Sequence, residues 1–202
     1  MPQSPPPPAA TVSPRAVRLA MATASLVMLA GLVLPAVRSW RHEAKVKQAY
    51  REMAQIAAGI HRFMADTGVP PTLARNGDPR GVLRMLGPGL IAEGAYYCSD
   101  RHQSGLQEHL AENSPQGRRQ PGYLGWNGPY VSPLTADPWG FAYVLVAYPL
   151  ARADDRDCVL VSAGPNFRMD GTYSSPRDVI AAGDDVVYVV VDKSRHASAP
   201  LR

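Results

Sequence analysis

The hydrophobic and polar positions of this 202-residue chain change their period three times. From Leu19 to Val37 nineteen residues pass without a charge, and Leu26, Val27, Met28, Leu29, Leu32, Val33 and Leu34 leave no polar face. At about 1.5 Å per residue, a helix there spans roughly 28 Å, close to the hydrocarbon thickness of a bilayer. Beyond it, Val46, Ala49, Tyr50, Met53, Ile56, Ala57, Ile60, Phe63 and Met64 recur at steps of three and four, with Arg51, Glu52, Gln55 and Arg62 on the other side. That spacing predicts one apolar stripe on a helix. Gly68, Pro70 and Pro71 end it. The pattern therefore predicts a single helix over roughly 16–66, greasy in its first half and amphipathic in its second, with Pro35 placed to kink it.

The period then dissolves. Residues 69–135 are rich in Gly, Pro and short polar runs, with Leu83, Met85, Leu86, Leu90 and Ile91 suggesting a short helix with a Gly-Pro-Gly break and Leu106–Glu112 a helical turn. In the final third, Ala142–Tyr148, Asp157–Ser162 and Asp185–Val191 are β-branched and aromatic runs between turn-forming residues. They predict three strands. A long helix followed by three strands implies an α+β fold, with a small antiparallel sheet packed on the helix's stripe. The expected organisation is a proline-rich arm (1–14), a transmembrane helix (15–38), its amphipathic continuation (39–68), a domain ending in the sheet (69–192) and a polar tail (193–202).

Charge sharpens this picture. The chain carries 21 Lys and Arg against 17 Asp and Glu, a net +4. Residues 15–52 alone are +5, through Arg15, Arg18, Arg38, Arg41, Lys45, Lys47 and Arg51 against Glu43 and Glu52, so the rest is close to neutral. The basic excess brackets the greasy segment and offers no basic face to nucleic acid. A cleaved signal peptide, a buried core helix and a membrane anchor compete for that segment. Its length exceeds the roughly 7–15 apolar residues of a signal peptide. Its tightly flanking charges, with Trp40 at the interface, disfavour a core helix and favour an anchor. Six prolines among the first fourteen residues predict a disordered or polyproline arm ahead of it.

Four stretches together resemble one family. LVLPAVRS is similar to the end of a type IV pilin membrane helix, and FMADTGVPPT to the segment where the long helix ends. WNGPYVSPLTADPWGFAYVL (126–145) resembles the family's Trp-x-Gly-Pro-Tyr followed by Asp-Pro-Trp-Gly-x-Pro-Tyr. SAGPNFRMDG, leading to AGDDVV, resembles its C-terminal Ser-x-Gly loop and terminal acidic pair. The resemblance is closest to the protein-G class of major pseudopilin in type II secretion systems. It covers roughly 16–66 and 124–188, with an enlarged middle. It implies a type IV pilin-like fold, a structural rather than catalytic role, other pseudopilins or inner-membrane secretion proteins as partners, and a calcium ion before the last strand.

Calcium takes about six to eight oxygen ligands. By position, Asn166 matches the family's loop residue, Asp184 and Asp185 match its terminal pair, and Asp170 and Asp178 lie between. The loop is long, and Phe167 stands where the family has glycine. The turn Asp137-Pro138-Trp139-Gly140 has its own physical reading: Pro sets one backbone angle, Asp accepts local hydrogen bonds and Gly tolerates positive φ. Trp126, Tyr130 and Trp139 are expected to fill the core.

The N-terminus departs from the family. The glycine before the cleavage site corresponds to Ser13, the following phenylalanine to Pro14 and the assembly glutamate to Arg18. The expectation is an anchor retained uncut, in a bacterial inner membrane, single pass, with the C-terminal domain in the periplasm. In that compartment Cys98 and Cys158 are permitted to pair. Cys98, His102, Glu108 and His109 match no standard zinc spacing and are read as a polar loop. No nucleophile elbow, phosphate-cradling loop or HExxH supports an enzyme. Two functions are expected to compete: a pseudopilin-like subunit or accessory, and a tethered periplasmic binding module that does not polymerise.

Overall fold

A computed structural model describes residues 14–72, 84–95, 103–115, 122–151, 157–171 and 181–191. Helix α1 spans Pro14–Thr67 and continues through Pro35. Strands β1 (Arg84–Leu86) and β2 (Gln103–Gly105), helix α2 (Leu106–Leu110), strand β3 (Val144–Val146), helix α3 (Tyr148–Ala151), and strands β4 (Cys158–Ser162) and β5 (Val186–Val191) follow. The chain divides into two compact units, Met1–Ala44 and Lys45–Arg202.

In the first unit, Met21, Met28, Leu29, Val33 and Leu34 of α1 are exposed, as is Trp40 at 71%, and Val37 is half-buried. Many side chains between Ala16 and Leu32 lie outside the described residues. Among the described residues, no helix is long and apolar enough to cross a membrane. The expectation of a transmembrane segment thus rests on the sequence run itself.

The second unit is an α+β body. Its sheet runs β2-β1-β3-β4-β5, antiparallel throughout β1-β3-β4-β5 and parallel between β1 and β2. Leu145 pairs with Leu160 and Leu160 with Tyr188 in register, so these three side chains share one face. That face packs on the stripe of α1, where Ala49, Met53, Ile56, Ala57, Ile60 and Phe63 join Leu145, Leu160, Val186 and Val190 in one core. Val144, Val146, Val159 and Val161 point the other way, onto Ala92, Ala95 and Met169. Burial on both faces explains why β3 and β4 read as continuous apolar runs without polar alternation. A bulge at Cys158/Val159 shifts the register against β5.

The stripe differs from the predicted one at a single position. Tyr50 is 45% exposed, while Val46 and Met64 pack at the core's margin. The helix ends as its residues dictate: Gly68 takes φ +69° and donates its N–H to the Met64 carbonyl at 3.0 Å. Of the expected helix around Leu83–Ile91, residues 84–86 are instead strand β1, and Leu83 lies outside the described residues. The three residues of β1 pair with β3, and Gly87-Pro88-Gly89 prevents any helical continuation. At Gly89, with φ +128°, a Cβ would lie 2.7 Å from the Phe141 carbonyl carbon, so the break doubles as a close crossing.

The Asp137-Pro138-Trp139-Gly140 turn is pinned from within. The buried Asp137 carboxylate accepts from the Trp139 and Phe141 backbone N–H groups at 2.9 and 2.8 Å through Oδ1, and from the Ser162 hydroxyl at 2.5 Å through Oδ2. Gly140, at φ +95°, donates its N–H to the Asp137 carbonyl. One side chain thus ties the turn leading into β3 to the end of β4. Asp137→Ala leaves one buried and two part-buried donors short of an acceptor and is expected to cost about 3 kcal/mol in urea unfolding, with Asp137→Asn costing less. A loss below about 1 kcal/mol for the alanine variant would show the turn to be held by other means.

His109, read from sequence as part of a polar loop, is fully buried on α2. The expected helical turn is there, and it faces inward. Nδ1 shares a 2.6 Å hydrogen bond with the Tyr123 hydroxyl, and the Trp126 Nε1–H donates to the His109 carbonyl at 3.3 Å. Burial pushes the imidazole pKa down from 6.5 to about 3. Between those values the unfolded chain binds the proton and the folded chain does not. His109 therefore lowers stability as pH falls below 6.5, by up to about 1.4 kcal/mol per pH unit. Urea titrations at pH 7.5 and 5 are expected to show this slope, and His109→Gln to flatten it.

Candidate functional site

The acidic loop expected to bind calcium forms between β4 and β5. A short 3₁₀ turn, Gly164–Asn166, leaves β4 and is followed by Phe167 in the left-handed region at φ +67°. Phenylalanine thus holds the conformation for which glycine is preferred, and its ring stacks on Phe141 at 4.9 Å. Asn166 Oδ1 accepts from the Arg168 N–H at 3.0 Å, and its Nδ2 donates to Asp170 Oδ2 at 2.5 Å. Asp170 also lies 3.6 Å from Arg168 Nε. On the returning strand, Asp185 Oδ2 accepts from the Gly171 N–H at 2.7 Å, and its Oδ1 is buried.

Two glycines let these segments close on each other. A Cβ on Gly183 would collide with Asp170 Oδ2, and one on Gly164 with the Asp184 carbonyl oxygen. The loop therefore brings Asn166, Asp170 and Asp185 to one end of β4 and β5. Asp184 is exposed. Among the described residues, no group of three or more His, Cys, Asp or Glu side chains is placed to hold a metal ion. The oxygen donors suit a hard cation in kind; Asp178 lies outside the described residues.

Calcium binding at this loop remains a proposal with a direct test. Millimolar calcium is expected to raise the unfolding midpoint of the full chain, and Asp184→Ala/Asp185→Ala to abolish the rise. No shift in the parent protein would leave these acids as hydrogen-bonding and solvated groups only.

The other predicted positions are distributed as follows. Pro14 begins α1; Ser13 and the Arg18 side chain lie outside the described residues. Cys158 is buried, and its thiol donates to the Val146 carbonyl at 3.4 Å. Cys98, with which it is permitted to pair, lies outside the described residues, as does His102. Tyr130 is buried, with Trp126 and Trp139 half-buried at its margins, as large core aromatics require. Tyr123 and Tyr130 both meet Phe63 edge-on, at 4.7 and 5.4 Å.

One feature escaped the sequence reading. A cavity of about 330 Å³ lies between α1 and the segment 130–135, lined by Glu52, Ile56, Arg62, Val131, Leu134 and Tyr143 among others. Glu52 and Arg62 read as the solvated side of an amphipathic helix, and only the folded chain places them against a cavity. Neither a family model, nor a curated protein, nor a solved structure matches this chain.

Proposed function

We propose that this chain is a pseudopilin-like structural protein, held in a bacterial inner membrane by the first half of α1, with the α+β unit in the periplasm. In this role it is a subunit or accessory of a type II secretion or related pilus-like machine and packs beside other pseudopilins or inner-membrane secretion proteins. The observation that carries the reading is the order and packing of parts. An apolar helical run bracketed by basic residues continues into an amphipathic stripe, and that stripe is buried against an antiparallel sheet entered through the Asp137 turn. The exposure of Met21, Met28, Leu29, Val33, Leu34 and Trp40 supports a lipid or helical environment for that half.

The alternative, a tethered periplasmic binding module with a pilin-like fold, gains from two observations. Arg18 reverses the charge on which the family's assembly depends, and the second unit contains a cavity of ligand size.

Single cysteines placed along residues 20–60 separate the two. Cross-links between copies, or to a secretion protein, at positions on one face are expected if α1 packs in a filament. Their absence in cells carrying the secretion machinery would favour the tethered module. The intact mass of the membrane-extracted protein is expected to include residues 1–13; removal near Ser13 would overturn the expectation that the chain stays uncut.

A further inference from the structure

The cavity between α1 and segment 130–135 has a physical origin. Gly59 forms a notch on the helix: a Cβ there would lie 2.7 Å from Val131 Cγ1 and 2.9 Å from the Tyr130 carbonyl oxygen. The chain presses into that notch and is clamped by Arg62, whose Nη2 donates to the same Tyr130 carbonyl at 2.7 Å. Past Val131, Ser132 and Pro133 are exposed, and this segment lines a cavity together with helix residues Glu52, Ile56 and Arg62. Its volume is about 330 Å³. That lies at the lower end of the roughly 300–1,000 Å³ typical of small-ligand sites.

Its chemistry is lopsided. Ile56, Val131 and Leu134 supply apolar wall, and Tyr130 and Tyr143 contribute aromatic surface. The half-buried Glu52 also lines the cavity, and its carboxylate accepts from the Tyr143 hydroxyl at 2.6 Å through Oε2 and from Gln48 Nε2 at 2.8 Å through Oε1. An ionised carboxylate offers about four acceptor sites, so two remain. Among the described residues, no cationic side chain pairs with Glu52. Arg62 is ten residues along the helix, about 15 Å by axial rise, and is engaged with Tyr130. Lys45 lies over the Trp139 ring, 5.8 Å from its centroid. Burial, and the Glu52 carboxylate beside it, keep the Tyr143 hydroxyl well above the usual tyrosine range, so it remains a donor across the physiological range.

Arg62 also lines the cavity, but its guanidinium is committed to the Tyr130 carbonyl; a partly buried carboxylate with no ion-pair partner, beside aliphatic and aromatic wall, is suited to an organic cation with an apolar stem. We propose that this cavity binds a primary alkylammonium group, with the ammonium on Glu52 and the aliphatic stem against Ile56 and Leu134. The group has two possible sources, a lysine side chain presented by a polypeptide or a free alkylamine. The site belongs to the second unit alone and does not depend on the pseudopilin reading.

The test is titration of the full-length, detergent-extracted protein with butylammonium, with Nα-acetyl-lysine methylamide and with butyrate, followed by NMR of isotope-labelled Ile56 and Leu134 methyl groups. Saturable shifts with both amines and none with butyrate are expected. Glu52→Gln, which keeps an acceptor for Tyr143, is expected to weaken amine binding about tenfold or more. Leu134→Trp, which narrows the cavity and leaves the charge in place, is expected to abolish it. Tighter binding of the lysine derivative would assign a polypeptide source, and equal binding a free amine. Absence of saturation at millimolar amine, saturation by butyrate, or amine binding unchanged in both variants would overturn the proposal.

Discussion

The second unit depends on the burial of one helical stripe. Met53, Ile56, Ile60 and Phe63 leave water only because Leu145, Leu160, Val186 and Val190 present a matching apolar face, and neither surface is stable alone. At roughly 1.5–3 kcal/mol for each large side chain fully buried, these residues are the main source of cohesion available to a small sheet. Gly59 keeps one side of the helix shallow, and that is where segment 130–131 crosses. The notch, the clamp by Arg62 and the cavity beyond it all follow from where the helix lacks side-chain bulk.

Polar groups then fix what apolar packing leaves open. The helix stripe and the sheet face can slide past each other at little cost. The bond from His61 Nε2–H to the Val190 carbonyl at 2.9 Å fixes the helix against β5, and the three hydrogen bonds on Asp137 fix the turn against the end of β4. His109 does the same for the enlarged middle of the chain, joining α2 to Tyr123 through its ring and to Trp126 through its carbonyl. Each is buried or half-buried where an unpaired donor or acceptor would be costly, so each selects one arrangement over near neighbours.

How far the sequence is legible varies with the range of the interaction. The helix, its stop at Gly68 and the three strands near the C-terminus were readable because period and turn chemistry are local. Tyr50 was misassigned because a step of three or four admits positions at the stripe's edge, and only the partner surface decides which are covered. Residues 84–86 were misread as helix because three residues carry no resolvable period, and their strand exists by pairing with β3. His109 reads as part of a polar loop because Tyr123, its partner, is fourteen residues away in a stretch without periodicity. Of the acidic loop, composition and position were legible. The convergence of Asn166, Asp170 and Asp185 depends on Gly164 and Gly183 allowing two strand ends to approach.

By itself, then, the sequence determined the elements whose causes lie within a few residues: the basic-flanked apolar run, the amphipathic stripe, the β-branched strands and the Asp-Pro-Trp-Gly turn. It also determined that the basic excess belongs to the borders of the apolar run and leaves the remainder nearly neutral. Tertiary structure alone decided which polar side chains are buried and what they face. Glu52 shows the reason most plainly. Its helical position marks it as solvated, and it becomes half-buried only because Tyr143, ninety-one residues later, is carried to it by the sheet. A side chain's environment is set by whatever surface arrives from elsewhere in the chain, and periodicity along one element holds no record of that surface.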